Sequence, residues 1–249
     1  MQRIVIAAVQ NGSGENTENP NLTFFEEIFK EFGKTISENE IVFTYSCKYA
    51  WYPDQSFISI SSILNTYDRI KYRAGYSRDI VPVPARVEIS RVSSANNALS
   101  NNKNGDRNGV NKLIMEPVPV DVLEKSAIMA LLSDGYLPIV IPDFPVAKEL
   151  QYYSDSKESV DIYSASSLLA TLIEADKLII ISERRLAIDN IETLKNIKYA
   201  RLRELFYNSS FKDPEMLKII GAMLDFIYKG GKATMLISSN MEKVIDIKK

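Results

Sequence analysis

The chain has 249 residues, 45% hydrophobic and 25% charged, with a formal net charge of -2. That length suits one large α/β domain or two closely packed lobes with a substantial core, and the near-neutral charge gives no reason to expect a nucleic-acid backbone or an anionic membrane as partner. One cysteine, Cys47, and no histidine exclude an internal disulfide, an imidazole general base, a Ser–His or Cys–His nucleophile pair and a structural zinc site of the Cys/His kind. Any catalysis must draw on carboxylates, Lys, Arg, Tyr, Ser or backbone amides.

Residues 4–9 form a continuous β-branched and apolar run followed by Asn11-Gly12-Ser13-Gly14, which predicts a buried strand running into a loop. The run is too short to span a membrane, no other stretch approaches the ~20 apolar residues a span needs, and a cytoplasmic protein is expected. Leu22, Phe25, Ile28, Phe29 and Phe32 recur at helical spacing, with Gly33 as the expected C-cap. Residues 41–45 read as a second strand and 58–72 as a helix. Residues 79–92 alternate like a strand, although Pro82 and Pro84 confine it to an edge or a distorted segment. Residues 93–111, SSANNALSNNKNGDRNGVN, lack the apolar side chains needed to bury surface; they read as a long mobile loop or as a lid over a site.

Beyond this break the βα alternation is regular. A short strand is expected at 113–115, a helix at 122–132 closed by Asp134-Gly135, a strand at 137–141, a helix at 165–173 and an apolar strand at 177–181. One or two helices follow at 191–206. Asp213-Pro214-Glu215 combines an N-cap, a proline in the first turn and an early acid, so a helix should run from there to about Tyr228 and stop at Gly230-Gly231. Residues 232–238 begin the final strand region. Strands alternating with helices imply a mainly parallel sheet with helices on both faces. The basic cluster Lys195, Lys198, Arg201 and Arg203 reads as a solvated helix face.

The second half resembles carbamate kinase. Glu116-Pro117-Val118-Pro119-Val120-Asp121-Val122-Leu123-Glu124 is similar to that family's proline-rich lead into a helix. Gly135-Tyr136-Leu137-Pro138-Ile139-Val140-Ile141 resembles its "G-IVIA" strand, and Pro145-Val146 its following "IPV". Residues 164–170, SASSLLA, resemble "LASALLA", and 175–181, ADKLIII, resemble "ADLLIILT". Gly230-Gly231-Lys232-Ala233 with Ile237-Ser238-Ser239 resembles the terminal "GGKRAIITS". In the first half Arg3-Ile4-Val5-Ile6-Ala7 and Glu40-Ile41-Val42-Phe43-Thr44 resemble the first two strands. The matches run in order over most of the chain. They imply the amino-acid kinase fold, a three-layer α/β/α sandwich with a mainly parallel central sheet, as a single domain of residues 1–249 with an acceptor-side half (1–115) and a nucleotide-side half (116–249). Loop 93–111 stands where the family carries a small protruding subdomain. A homodimer is implied by the resemblance alone.

The chemistry departs from the family. Phosphoryl transfer needs glycine loops whose amides approach phosphate oxygens, and lysines that balance developing charge. The family's "GGNA" loop matches Val9-Gln10-Asn11-Gly12, keeping Asn11 and Gly12 as phosphate-loop candidates. "GNGPQ" matches Ser46-Cys47-Lys48-Tyr49-Ala50-Trp51-Tyr52, which is bulky and aromatic. The run before "IPV" becomes Pro142-Asp143-Phe144. "DKD" matches Asp161-Ile162-Tyr163, placing Ile162 where the resemblance implies a lysine at the reaction centre. "TDVDG" matches Ser182-Glu183-Arg184-Arg185-Leu186. Ser182 and Glu183 are candidate nucleotide contacts, and Lys212 or Lys218, in the neighbourhood of the family's "MGPK", can approach phosphates or stand as surface helix lysines. Arg184 and Arg185, just past a strand's carboxyl end, are anion candidates, because ligands of open α/β sheets bind at that edge. No catalytic residue is assigned and no metal site is expected. Two readings result: a catalytically degenerate relative acting as a binding or structural partner, or an active ATP-dependent phosphotransferase with a rearranged site that uses Mg-ATP. The first is preferred, and it implies weak or absent nucleotide binding; a small anionic ligand or nucleotide is a possible partner of the chain on either reading, with no nucleic acid and no membrane.

Overall fold

A computed structural model describes residues 1–10, 22–47, 64–65, 67–69, 71, 78–89, 120–122, 125–143, 162–182, 194–208, 210–238 and 240–248. The expected strand 113–115 and loop 93–111 lie outside these residues, as does most of the expected helix 58–72, whose described residues are helical.

Among the described residues eight strands form one sheet: β1 (Arg3–Gln10), β2 (Glu40–Cys47), β3 (Ile80–Ile89), β4 (Val120–Val122), β5 (Leu137–Asp143), β6 (Lys177–Ser182), β7 (Ala233–Ser238) and β8 (Lys243–Lys248). Their order is β4-β3-β5-β2-β1-β6-β7-β8. All pairs are parallel except the two outermost, β3–β4 and β7–β8. The mainly parallel sandwich expected from the sequence is therefore present, closed at each end by one antiparallel strand.

Period-two alternation divides the core between the faces. Ile4, Ile6, Ala8, Ile41, Phe43 and Ile179 point to one side. There they meet α1 (Leu22–Glu38), with the Phe29 ring edge-on to Phe43 at 5.5 Å and to Tyr67 at 5.0 Å. Val5, Ala7, Val9, Val42, Leu178 and Ile180 point to the other. That side is covered by α2 (Lys125–Ser133), α3 (Ile162–Leu172), α4 (Tyr199–Tyr207) and α5 (Pro214–Tyr228).

The structure differs from the sequence reading at several elements. Gly33 does not end α1 but is buried within it, because the apolar stripe continues to fully buried Ile36 and that packing outweighs the ~1 kcal/mol cost of an interior glycine. Val122 belongs to β4, where it pairs with Val87, and α2 begins three residues later at Lys125. The helix expected from Ala165 starts at Ile162. The hairpin strand β8 follows β7 and was not anticipated. Pro82 and Pro84 lie in the part of β3 that pairs with β5 alone among the described residues, since β4 pairs only with Val87–Ile89; an open flank of this kind is where a strand accommodates proline.

The amino edge of the sheet is stapled by Asp176. Its carboxylate accepts from the Arg3 backbone N–H at 2.9 Å and from Lys232 Nζ at 2.5 Å, and its own N–H donates to the Arg3 carbonyl at 2.7 Å. The Lys232 hydrogen bond, then the Arg3 amide, holds the Asp176 carboxyl below its ordinary pKa. Gly230 (φ +114°) ends α5 in the conformation a side chain disfavours, and the Gly231 N–H closes back on the Phe226 carbonyl.

Candidate functional site at the carboxyl edge

The chain leaves β1 toward β2, β5 and β3 and later returns to β1's other side as β6. Loops leaving β1 and β6 therefore diverge, and the crevice beyond the carboxyl ends of these strands is where open α/β sheets bind ligands. Register places Val9 beside Ser182 and Ser182 beside Ser238. Helices that return between parallel strands run against them, so α3 and α5 begin at this same edge.

Ser182 ends β6 fully buried, and among the described residues its Oγ has no hydrogen-bond partner. A buried hydroxyl left unpaired is disfavoured by about 1–3 kcal/mol, and Thr234 Oγ1 of β7 is left in the same condition among the described residues. Lys212, just before α5, and Lys218, one turn into it, are exposed, and neither forms an ion pair among the described residues. Three of the sequence candidates thus gather around one edge. Asn11, Gly12, Glu183, Arg184 and Arg185 lie outside the described residues, as do Phe144, Asp161 and the aromatic run at 49–52.

The start of α3 offers no charge to this edge. Ile162 is 8% exposed and Tyr163 3%, and both belong to the apolar cluster under α3 and α5. The Tyr163 hydroxyl donates to Glu215 Oε1 at 2.6 Å, while Glu215's own N–H is capped by Asp213 Oδ1 at 2.9 Å. Ser166, one turn into α3, donates to the Ile162 carbonyl at 2.7 Å and shares a 2.5 Å hydrogen bond with Thr44 Oγ1 of β2. Polar links therefore run from β2 through the first turn of α3 to the first turn of α5. Sequence reasoning missed Thr44, Ser166 and Glu215, since nothing in their local spacing announces a partner 122 or 52 residues away. Lys177, whose ammonium pKa is lowered by burial, opens β6 at the opposite edge and takes no part.

The fit of this edge to Mg-ATP can be judged from its donors. A serine hydroxyl and two exposed lysines can meet phosphate oxygens. No group of three or more Cys, Asp or Glu residues able to hold a metal ion occurs among the described residues, and the first turn of α3 presents an isoleucine and an already bonded tyrosine. Among the described residues this donor set suits contact with an anion.

No family model matches the chain. Among curated proteins it is similar to carbamate kinase of Thermoplasma volcanium, 27% identical over 143 residues, which are 55% of this chain and 46% of that protein. The chain thus matches about half the length of this relative. It is also similar to carbamate kinase of Thermoplasma acidophilum, 26% identical over 291 aligned positions covering 96% of this chain and 94% of that protein. Among solved structures it resembles Giardia carbamate kinase, with a TM-score of 0.69 at 16% identity, covering 100% of this chain and 99% of that one. The Giardia lamblia enzyme bound to AMP-PNP gives 0.66 at 18% identity, covering 100% and 98%. The chain is a divergent carbamate-kinase-like protein with that fold. No helix among the described residues is long and apolar enough to cross a membrane.

Proposed function

We propose that this chain is a carbamate-kinase-like scaffold without carbamate kinase turnover, acting as a binding or structural partner and assembled as a homodimer in the cytoplasm. The carrying observation is the first turn of α3. By resemblance Ile162 occupies the place of a reaction-centre lysine; here it is a core residue, and its neighbour Tyr163 is tied to Glu215. Transfer of a phosphoryl group needs positive charge where negative charge develops, and a buried isoleucine supplies none. The substitutions at 142–144 and 46–52 point the same way, since side chains replace glycines whose amides would face phosphate. Residues 1–115 and 116–249 correspond on this reading to the acceptor-side and nucleotide-side halves of the family.

A second reading, an active ATP-dependent phosphotransferase with a rearranged site, draws support from Ser182. Its buried hydroxyl, without a partner among the described residues, stands at the topological switch point, with Lys212 and Lys218 exposed toward the same edge. Calorimetric titration with Mg-ATP separates the two. The scaffold reading predicts weak or absent heat of binding, whereas micromolar affinity that falls in Ser182→Ala supports the second.

A further inference from the structure

Lys177 opens β6 at the amino end of the sheet, half-buried, and among the described residues its ammonium forms no ion pair or hydrogen bond. Ladder positions fix its surroundings. It shares a face of β6 with Ile179 and Ile181, the face that also carries Met235 and Ile237 of β7. Across the ladder Lys177 stands beside Ala233, and Ala233 beside Lys248 of β8. Directly opposed residues point to the same face, and adjacent strands lie about 4.8 Å apart. Two lysines therefore flank one methyl side chain that is itself only half-buried. Asp246 lies opposite Met235, and Lys243 opposite Ile237, on that same face. On the other flank β1 presents Ile4. The adjoining Asp176 and Lys232 are tied to each other and to the Arg3 amide.

Three lysines thus share this face with one carboxylate. Burial lowers the Lys177 pKa, Asp246 opposes that, and Lys243 and Lys248 add to the lowering. More of this amine is therefore unprotonated near neutral pH than on an ordinary surface lysine, which is the state in which a lysine is a nucleophile. Half-burial leaves it within reach of a small electrophile. The neighbours also select the product. Lys248 and Lys243 repel an ammonium at position 177 and attract an anion there. Transfer of an acyl group would leave the nitrogen neutral and gain nothing from them. Addition of carbon dioxide turns the same side chain from cation to anion.

We propose that Lys177 is a modification site for carbon dioxide, carried as a carbamate on the side-chain nitrogen, independent of whether the carboxyl edge retains any activity. The nitrogen lone pair forms the N–C bond, one C–O π pair moves onto oxygen, and the nitrogen gives one proton to water; nothing is oxidised or reduced. The test equilibrates the full chain with carbon-13 bicarbonate and carbon dioxide at mildly alkaline pH and follows carbon-13 NMR. The amino-terminal amine, with an ordinary pKa near ~8, gives one carbamate resonance. The proposal requires a second, which grows with pH and with carbon dioxide and is absent from Lys177→Arg. Lys248→Ala should lower the second resonance about twofold to fivefold, the worth of an exposed ion pair. Asp246→Asn should raise it, because that carboxylate both favours the ammonium and repels the carbamate. The proposal is overturned if only the amino-terminal resonance appears, if the second survives in Lys177→Arg, or if Lys248→Ala and Asp246→Asn leave it unchanged or move it the other way.

Discussion

Replacing Ile162 by lysine asks whether the edge of the sheet is still shaped for phosphoryl transfer. Ile162 is 8% exposed at the first position of α3, inside the cluster that joins α3 to α5. Removing its side chain from that cluster forfeits about 1.5–3 kcal/mol of burial. A cation at a helix amino end adds about 0.3–1 kcal/mol. The lysine stem can keep some apolar contact while its head seeks water at the carboxyl edge, so a net loss of about 2–4 kcal/mol is expected. In a chain of this size that lowers the melting temperature by roughly 4–16 °C. Ile162→Val should lose only about 1 kcal/mol. ATP-dependent phosphorylation of carbamate should stay at background in both variants, because positioning groups act as a unit and one restored charge does not rebuild the loops. Thermal melts and a coupled kinase assay on the same preparations read both quantities. Activity appearing in Ile162→Lys with an unchanged melt would refute the reasoning, since the pocket would then be preorganised for a lysine.

Three further outcomes follow from the packing. Gly231→Ala would set a Cβ 2.3 Å from Cε1 of Phe226, whose ring is 1% exposed; about 1–3 kcal/mol should be lost, seen as a lower urea midpoint. Thr234→Val should be neutral or stabilising in the same measurement, because the Thr234 hydroxyl is buried without a partner among the described residues. A loss above ~1 kcal/mol would mean that the hydroxyl is bonded. The Asp176 carboxyl is depressed by Lys232 and the Arg3 amide, so its stabilisation is complete above the ordinary carboxylate value near pH ~4 and is lost as pH falls through the depressed one. Asp176→Asn should flatten that acid limb and cost about 1 kcal/mol at neutral pH; an unchanged acid limb would count against the staple.

Strands β1 and β6 were legible because a strand buried on both faces reads as a continuous β-branched run. The α5 helix was legible from its cap, since Asp213 does accept from the Glu215 N–H. The α1 boundary was misread because Gly33 signals termination locally while Ile36 rewards continuation through tertiary contact, which a local pattern does not carry. Strand β8 was missed because Lys243-Val244-Ile245-Asp246-Ile247-Lys248 breaks strict alternation, with a register shift at Leu236/Ile237 that buries Val244 and Ile245 together. At the site, the place of Ser182 followed from its position at a strand end. The bonding of Tyr163 to Glu215 did not, because it depends on how α3 and α5 pack. The cluster Lys195, Lys198, Arg201 and Arg203 read as a solvated face, and all four are exposed.

The most direct test of the scaffold reading is a turnover measurement on the purified chain with Mg-ATP and carbamate, following ADP release and carbamoyl phosphate together. The account predicts no carbamate-dependent turnover above background. Turnover at ~1–1000 per second, the ordinary range for an enzyme, would contradict it and establish that a rearranged carboxyl edge performs the reaction without a lysine at position 162.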